Sequence, residues 1–330
     1  MKRYLENAGM TFLGIIALIL GPFYDAIDNP WFTWTVFAIL LIILVFIIYD
    51  VKKKDKILNE KKVVDIPIVI KVDDGAQTKY IMNELIKSIE KNIDMKDYSE
   101  VLQKYYSINI DRFIFEDDCK GDFDKTLNLA RVIKYNISQL EDILQKPIKI
   151  HLLFYRRPAI AFLIGTIFRT NSIDIYQTNN KNTIDRVMSI SNRKYKEKIY
   201  KYTKYEKDEY FEDKNSDEVL LIIDSASHNV NENASDLKIY KNRVIMKLIG
   251  NGTIPVDVDW EEYVQEIYNA VNELQTKYKK IVIAHSMPEA LAVGLGMGFG
   301  EYWNVHITQY NYITGEYQIE YKMNDIKYYI

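Results

Sequence analysis

Two uncharged apolar runs, Ala8 to Tyr24 and Trp31 to Tyr49, open the chain. After them, short stretches of period-two apolar residues alternate with longer ones of helical period. The second run, WFTWTVFAILLIILVFIIY, is long enough to cross a hydrocarbon core of about 30 Å as a helix. The link Asp25 to Pro30 holds two Asp and no Lys or Arg, whereas Lys2 and Arg3 precede the first run and Lys52, Lys53, Lys54 and Lys56 follow the second. The positive-inside rule then predicts a two-helix hairpin over 1–50, with spans of about 8–27 and 31–49 and both ends cytoplasmic. Trp31 and Trp34 fall where interfacial aromatics belong. A cleaved signal peptide over Met1 to Leu20 is the alternative; it lacks a small-residue cleavage site, and a full span follows it at once. Gly14, Ala17 and Gly21 share one helical face and would admit a second helix closely, or are small residues without a packing role.

A charged connector, 51–62, leads to alternating strands and helices. Val63 to Val72 reads as a strand ended by the turn Asp73-Asp74-Gly75, followed by helices over Gln77 to Ile93 and Tyr98 to Tyr106 and a strand over Arg112 to Phe115. Phe123 to Gln145 is amphipathic through Leu127, Ala130, Ile133, Ile137, Leu140 and Leu144. Thr183 to Ile190 and the apolar run Val219 to Ile223 are further strands. Trp260 to Tyr278 is a helix with Asp259 at its N-cap and Glu262 three residues on, and Tyr317 to Met323 is a closing strand. Residues 191–215, rich in Lys, Tyr, Glu and Asp, read as an exposed excursion.

One pattern occurs twice. An apolar strand, a Pro opening an apolar helix, a Gly and a second strand ending near Gln run from Ile148 to Asn180 and again from Lys279 to Asn311. Pro158 matches Pro288, Gly165 matches Gly296, and the prolines are 288 − 158 = 130 residues apart. That period is too long for a solenoid and indicates a duplicated α/β unit, with halves over 63–190 and 216–330. Strands alternating with helices imply mainly parallel pairing, with ligands beyond the carboxyl ends of the strands.

That rule selects the candidate site. The first half supplies Tyr155, Arg156 and Arg157 before Pro158, then Tyr176, Gln177, Thr178 and Asn179. The second supplies Ser225, Ser227 and His228 after the strand ending at Asp224, then His285 and Ser286 before Pro288, and Gln309, Tyr310 and Asn311. The two helix N-termini and the arginines suit phosphate, and the rings and amides suit bases. The plainer alternatives are a solvated loop for the arginines and strand-end turn chemistry for Gln177 and Gln309.

A net charge of −3 gives no reason to expect duplex nucleic acid as a partner. Cys119 is the single cysteine, which excludes an intrachain disulfide and the usual zinc clusters. The four histidines form no ligand pair; His151 and His306 lie in apolar strands and are expected to be packed or hydrogen-bonded there. No metal and no cofactor is expected.

The segments HLLFYRRPAIAFLIG with IDIYQ, and IVIAHSMPEALAVGLG with VHITQYN, resemble the duplicated halves of the SAVED domain, a fused pair of CARF-like Rossmannoid subdomains. With the hairpin, the chain resembles a two-transmembrane SAVED effector of bacterial anti-phage signalling of the CBASS type. The resemblance implies a receptor for a cyclic oligonucleotide, a cyclic di- or trinucleotide, anchored in the inner membrane. It further implies a homo-oligomer or filament that disrupts the bilayer when the ligand binds. In related systems the nucleotide instead restrains the effector. Tyr155-Arg156-Arg157 stands where the second copy has His285-Ser286-Met287, so a composite site is expected over two equal ones.

Other functional classes fit the same residues less well. A dinucleotide fingerprint starting at Gly294 fails because Phe299 stands where its last Gly belongs. His285 with Ser286 lacks a positioned third group for ligand cleavage, so no enzyme is expected. A membrane-anchored scaffold binding protein through Lys194 to Lys207 is the remaining alternative; a solvated edge hairpin also accounts for that segment.

Overall fold

The computed structural model describes residues 30–60, 62–72, 78–117, 122–179, 183–191, 201–250, 252–299, 303–311 and 314–326. The chain divides into two compact units, Met1–Lys62 with Lys104–Ser107, and Val63–Gln103 with Ile108–Ile330.

In the first unit the described structure includes one helix, α1 (Pro30–Glu60), of 31 residues. At 1.5 Å per residue it is about 46 Å long. The apolar run and the charged connector as far as Glu60 form this single helix. Trp31, Trp34, Ile39, Leu41, Ile42, Leu44, Val45, Phe46, Ile48 and Tyr49 are all exposed on it. Among the described residues no helix is long and apolar enough to cross a membrane. The first predicted span, with Gly14, Ala17 and Gly21, lies outside the described residues.

The second unit begins with β1 (Val64–Val72), α2 (Thr78–Ile93), α3 (Tyr98–Tyr106), a 3-10 turn at Ile110–Phe113, β2 (Ile114–Asp117) and α4 (Phe123–Leu144). It continues with β3 (Ile148–Tyr155), α5 (Pro158–Ile167), β4 (Ser172–Thr178) and β5 (Ile184–Ile190), which complete a sheet of order β2-β1-β3-β4-β5. Its first four strands are parallel, and β5 returns antiparallel to β4. The second sheet, of order β11-β10-β9-β7-β8-β6, takes β6 (Tyr205–Phe211), β7 (Glu218–Asp224), β8 (Asn242–Leu248), β9 (Lys280–Ser286), β10 (Val305–Asn311) and β11 (Glu316–Lys322). Helices α6 (Glu261–Gln275) and α7 (Glu289–Gly298) accompany it, and the short α8 (Met323–Ile326) follows β11. Its inner strands are parallel and its edges antiparallel. Central strands such as β1 (VDIPIVIKV) are buried along nearly their whole length, as strands covered on both faces must be.

The repeat helices meet at the seam between the sheets. Every residue of α5 from Ala159 to Ile167 is buried, as is α7 from Ala290 to Met297. A Cβ at Gly165 would lie 2.0 Å from the Val293 carbonyl oxygen, and one at Gly296 would lie 1.9 Å from that of Phe162. The two contacts are the same contact under pseudo-twofold exchange, because 296 − 165 and 293 − 162 are both 131. In this register Pro158 corresponds to Glu289 and not to Pro288, a correction of one residue to the sequence alignment. Gly294, earlier in the same helix, faces the side chains of Val264 and Met188 instead. Two further bonds cross the seam, from the Trp260 N–H to the Val187 carbonyl and from the Tyr321 hydroxyl to that of Ala159.

Three local expectations change. The strand expected at Arg112 begins at Ile114, because the Asn109 side chain accepts the Asp111 N–H and turns Ile110–Phe113 into a 3-10 helix. Asp259 accepts from the Glu261 N–H at 2.9 Å and stands one residue ahead of the helix N-cap, Trp260. Residues 205–211 of the expected excursion form edge strand β6, held by the buried carboxylate of Glu266, which accepts the main-chain N–H groups of Thr203, Lys204 and Tyr205. Strand β8 was not anticipated from sequence.

Candidate functional site

Strands β3, β7, β9 and β10 end together on one side of the seam. There the structure holds a cleft of about 730 Å³. Arg156, Arg157 and Pro158 line it from the first half; Ala226, His228, Asn229 and Asn231 from the loop after β7; His285 to Glu289 from the turn after β9; and Gln309, Tyr310 and Tyr317 from the β10–β11 hairpin. Residues of both halves therefore share one cavity.

The arginine wall is held in an unusual backbone. Arg156 and Arg157 have φ of 68° and 58°, the left-handed region that non-glycine residues seldom enter, and Arg157 caps α5 with Pro158 at the first helical position. Such strain costs on the order of 1–3 kcal/mol per residue and persists only where its surroundings impose it. One imposing contact is visible: the Arg156 N–H donates to Glu289 Oε1 at 3.1 Å. The corresponding turn of the second half, through Met287 and Pro288, has no positive φ.

Glu289 is also gripped by Gln177, whose Nε2 donates to Oε2 at 3.5 Å while its Oε1 accepts the Ala290 N–H at 3.2 Å. Gln177 thus caps the helix of the opposite half. Burial pushes the Glu289 carboxyl above its ordinary range. On the far wall, burial lowers His285 to about 4, so its ring is neutral at physiological pH, hydrogen-bonded to the Thr308 backbone. His285 Nδ1 and Gln309 Oε1 are buried and have no hydrogen-bond partner among the described residues.

The loop after β7 is pinned over the cleft at several points. The Ser225 N–H donates to the Ser286 carbonyl at 2.7 Å, and the Ser286 hydroxyl to the His228 carbonyl. Asp224, its carboxyl raised by burial, accepts the Val230 N–H at 2.7 Å, and the Tyr317 hydroxyl accepts that of Asn231 at 3.3 Å. Tyr310 and Tyr317 lie with ring centroids 4.9 Å apart, an aromatic rim on which a base can stack.

Of the residues selected from sequence, the structure brings Arg156, Arg157, His228, His285, Ser286, Gln309 and Tyr310 to this cleft. The others lie elsewhere. Tyr176 is in the core, its hydroxyl 2.9 Å from His151 Nδ1, and His151 Nε2 is 2.9 Å from Asp65. Ser225 is buried against the Tyr205 hydroxyl at 2.8 Å. Asn179 bonds Thr183 and Asp185 within the β4–β5 turn, and Asn311 accepts from the Thr314 N–H in the β10–β11 turn. Tyr155 and Thr178 close their strands outside the cleft, and Ser227 is exposed on the loop without lining it. Sequence reasoning passed over Glu289, Asn229, Asn231 and Tyr317; the one visible signal was an acidic residue opening an otherwise apolar helix. Among the described residues no group of His, Cys, Asp and Glu is arranged to hold a metal.

No family model matches the chain, and no curated protein matches it. Among solved structures it is similar to the Acinetobacter baumannii Cap4 SAVED/CARF-domain containing receptor with the cyclic trinucleotide 2'3'3'-cAAA. The identity is 15%, the TM-score 0.47, and the match covers 76% of this chain and 62% of that one. With 3'3'3'-cAAA bound to that receptor the values are 14%, 0.44, 76% and 63%. For the Moraxella osloensis Cap4 SAVED/CARF-domain containing receptor they are 16%, 0.42, 78% and 49%. The chain spans less than two thirds of the length of each.

Proposed function

We propose that the chain is a membrane-anchored receptor that binds a cyclic oligonucleotide in the cleft between its two α/β halves and, when occupied, oligomerises and disrupts the bilayer. The observation that carries the ligand reading is the composite cleft. Two arginines stand at a helix N-terminus on one wall, and buried polar atoms with aromatic rings stand on the other, the pairing of cation and base-stacking surface that a phosphodiester ring requires. Support for the anchor comes from the uncharged run Trp31 to Tyr49 within one continuous helix and from the exposed apolar side chains along it. The absence of Lys and Arg between Asp25 and Pro30, with basic residues flanking both runs, supports a topology with both ends in the cytoplasm. The small-residue face of Gly14, Ala17 and Gly21 is the packing surface for assembled hairpins.

The test is calorimetric titration of the full chain in nanodiscs with a panel of cyclic di- and trinucleotides, alongside dye release from liposomes carrying it. Tight binding of one ring, with release rising on its addition, is expected. Binding with falling release would mean that the ligand restrains the effector. No binding by a folded chain would overturn the receptor reading and leave the protein-binding scaffold.

A further inference from the structure

The walls of the cleft differ in hydrogen-bonding character. The first-half wall presents arginine, which only donates. The second-half wall gathers acceptors. The Glu289 carboxylate receives N–H groups from Arg156, from Gln177 and from its own main chain, and of its roughly four lone-pair sites one is left for a further donor. The His285 ring is bonded to the Thr308 backbone and is neutral, which leaves Nδ1 as the acceptor tautomer position. Gln309 Oε1 is a buried acceptor with no donor among the described residues, although the other repeat's Gln177 spends both ends of its amide on Glu289 and Ala290.

Phosphate oxygens cannot satisfy Glu289, His285 and Gln309, since acceptors facing acceptors repel, although the amides of Asn229 and Asn231 on the same wall can donate. A ligand group that reaches those acceptors must offer N–H, because buried acceptors without a donor are costly and a further acceptor would leave them so. Within a cyclic oligonucleotide the base edges donate through the exocyclic amino groups of adenine, guanine and cytosine and through the single ring N–H of guanine and of uracil. An amino group brings two N–H to clustered acceptors, whereas uracil's one N–H lies between two carbonyl oxygens that would face those acceptors. We infer that Glu289, His285 and Gln309 form a base-reading subsite that selects a nucleobase carrying an exocyclic amino group. Arg156 and Arg157 hold the phosphodiester ring opposite. The inference rests on the receptor reading above and specifies its ligand.

The full chain in detergent micelles is titrated with cyclic triadenylate, cyclic di-GMP and cyclic di-UMP. Counterparts in which purine riboside replaces adenosine, or inosine replaces guanosine, follow. The expected result is that an amino-bearing ring binds and its amino-free counterpart binds at least about tenfold more weakly, the discrimination that a matched set of base-edge hydrogen bonds provides. Glu289→Gln and, separately, Gln309→Leu should narrow that gap to under about threefold. If the amino-free ring or cyclic di-UMP binds within about threefold of the best ligand, the subsite is wrong and the receptor reading stands. If no ring binds a chain with a cooperative melting transition, the receptor reading falls and the subsite with it. A variant gap as wide as the wild type's also overturns the assignment.

Discussion

Gly165 lies so close to the main-chain carbonyl of Val293 that a single added carbon would sit 2.0 Å from its oxygen. Its pseudo-symmetric counterpart, Gly296, does the same to Phe162. Gly165→Ala should therefore push the two helices apart. A destabilisation of about 1–3 kcal/mol is expected, read as a lowered midpoint in urea or thermal unfolding. An unchanged midpoint would mean that the seam is looser than these contacts require.

Reversing the charge of the arginine wall should remove ligand and little else. If the proposed receptor function holds, Arg156→Glu is expected to weaken cyclic-nucleotide binding at least about tenfold, because a charge-assisted phosphate contact would become repulsive. Calorimetry gives the affinity, and an unchanged melting curve excludes unfolding as the cause. Normal binding by this variant would place the phosphates elsewhere.

Tyr176 is the contrasting case. Its hydroxyl is committed to His151 inside the first sheet, so Tyr176→Phe should cost about 1 kcal/mol of stability and leave nucleotide affinity within about twofold. A tenfold loss of affinity at unchanged stability would return this residue to the site.

Glu266 fastens the edge strand β6 through main-chain N–H groups of three successive residues. Glu266→Ala orphans them together. Hydrogen exchange should accelerate over 203–211 by at least about tenfold while β7 and β9 keep their protection. Uniform acceleration through the sheet would show that β6 is not separately anchored.

His285 makes stability depend on acidity. Its folded pKa of about 4 lies below the unfolded value near 6.5, so the unfolded chain takes up a proton first as pH falls. Its effect is fully favourable above about pH 6.5 and is lost between there and pH 4, by roughly 3 kcal/mol. Glu289, raised above 4.5, acts oppositely, its contribution declining as pH rises from 4.5 through its folded pKa. The histidine is isolated by comparing melts at pH 7 and pH 5: His285→Phe should lose less than the wild type. Equal losses would show that His285 is not the titrating group.

The sequence carried the central architecture because buried parallel strands and amphipathic helices announce themselves by period. The duplication made the meeting of two strand-end clusters readable as well. Strands β6 and β8 escaped because YEKDEYF carries charges along an exposed edge and NRVIMKL sits within a long polar stretch, so neither shows a clean alternation. The division of labour between Gln177 and Gln309 was out of reach for a different reason. It follows from a one-residue offset: the proline-to-glycine interval is 165 − 158 = 7 in one copy and 296 − 288 = 8 in the other. That offset puts Glu289 where the first copy has Pro158, and only Gln177 then finds a carboxylate across the seam.

The cleft draws its walls from both halves, yet those halves are locked by interdigitated glycines and by the Trp260–Val187 and Tyr321–Ala159 bonds. A ligand there cannot work as in a clamshell, by drawing two lobes together. What an occupant can alter is the lip, the Ser225 to Leu237 segment tethered through Ser286 and Tyr317. Occupancy would then be displayed as a change of outer surface, legible to a neighbouring molecule and invisible as a change of shape.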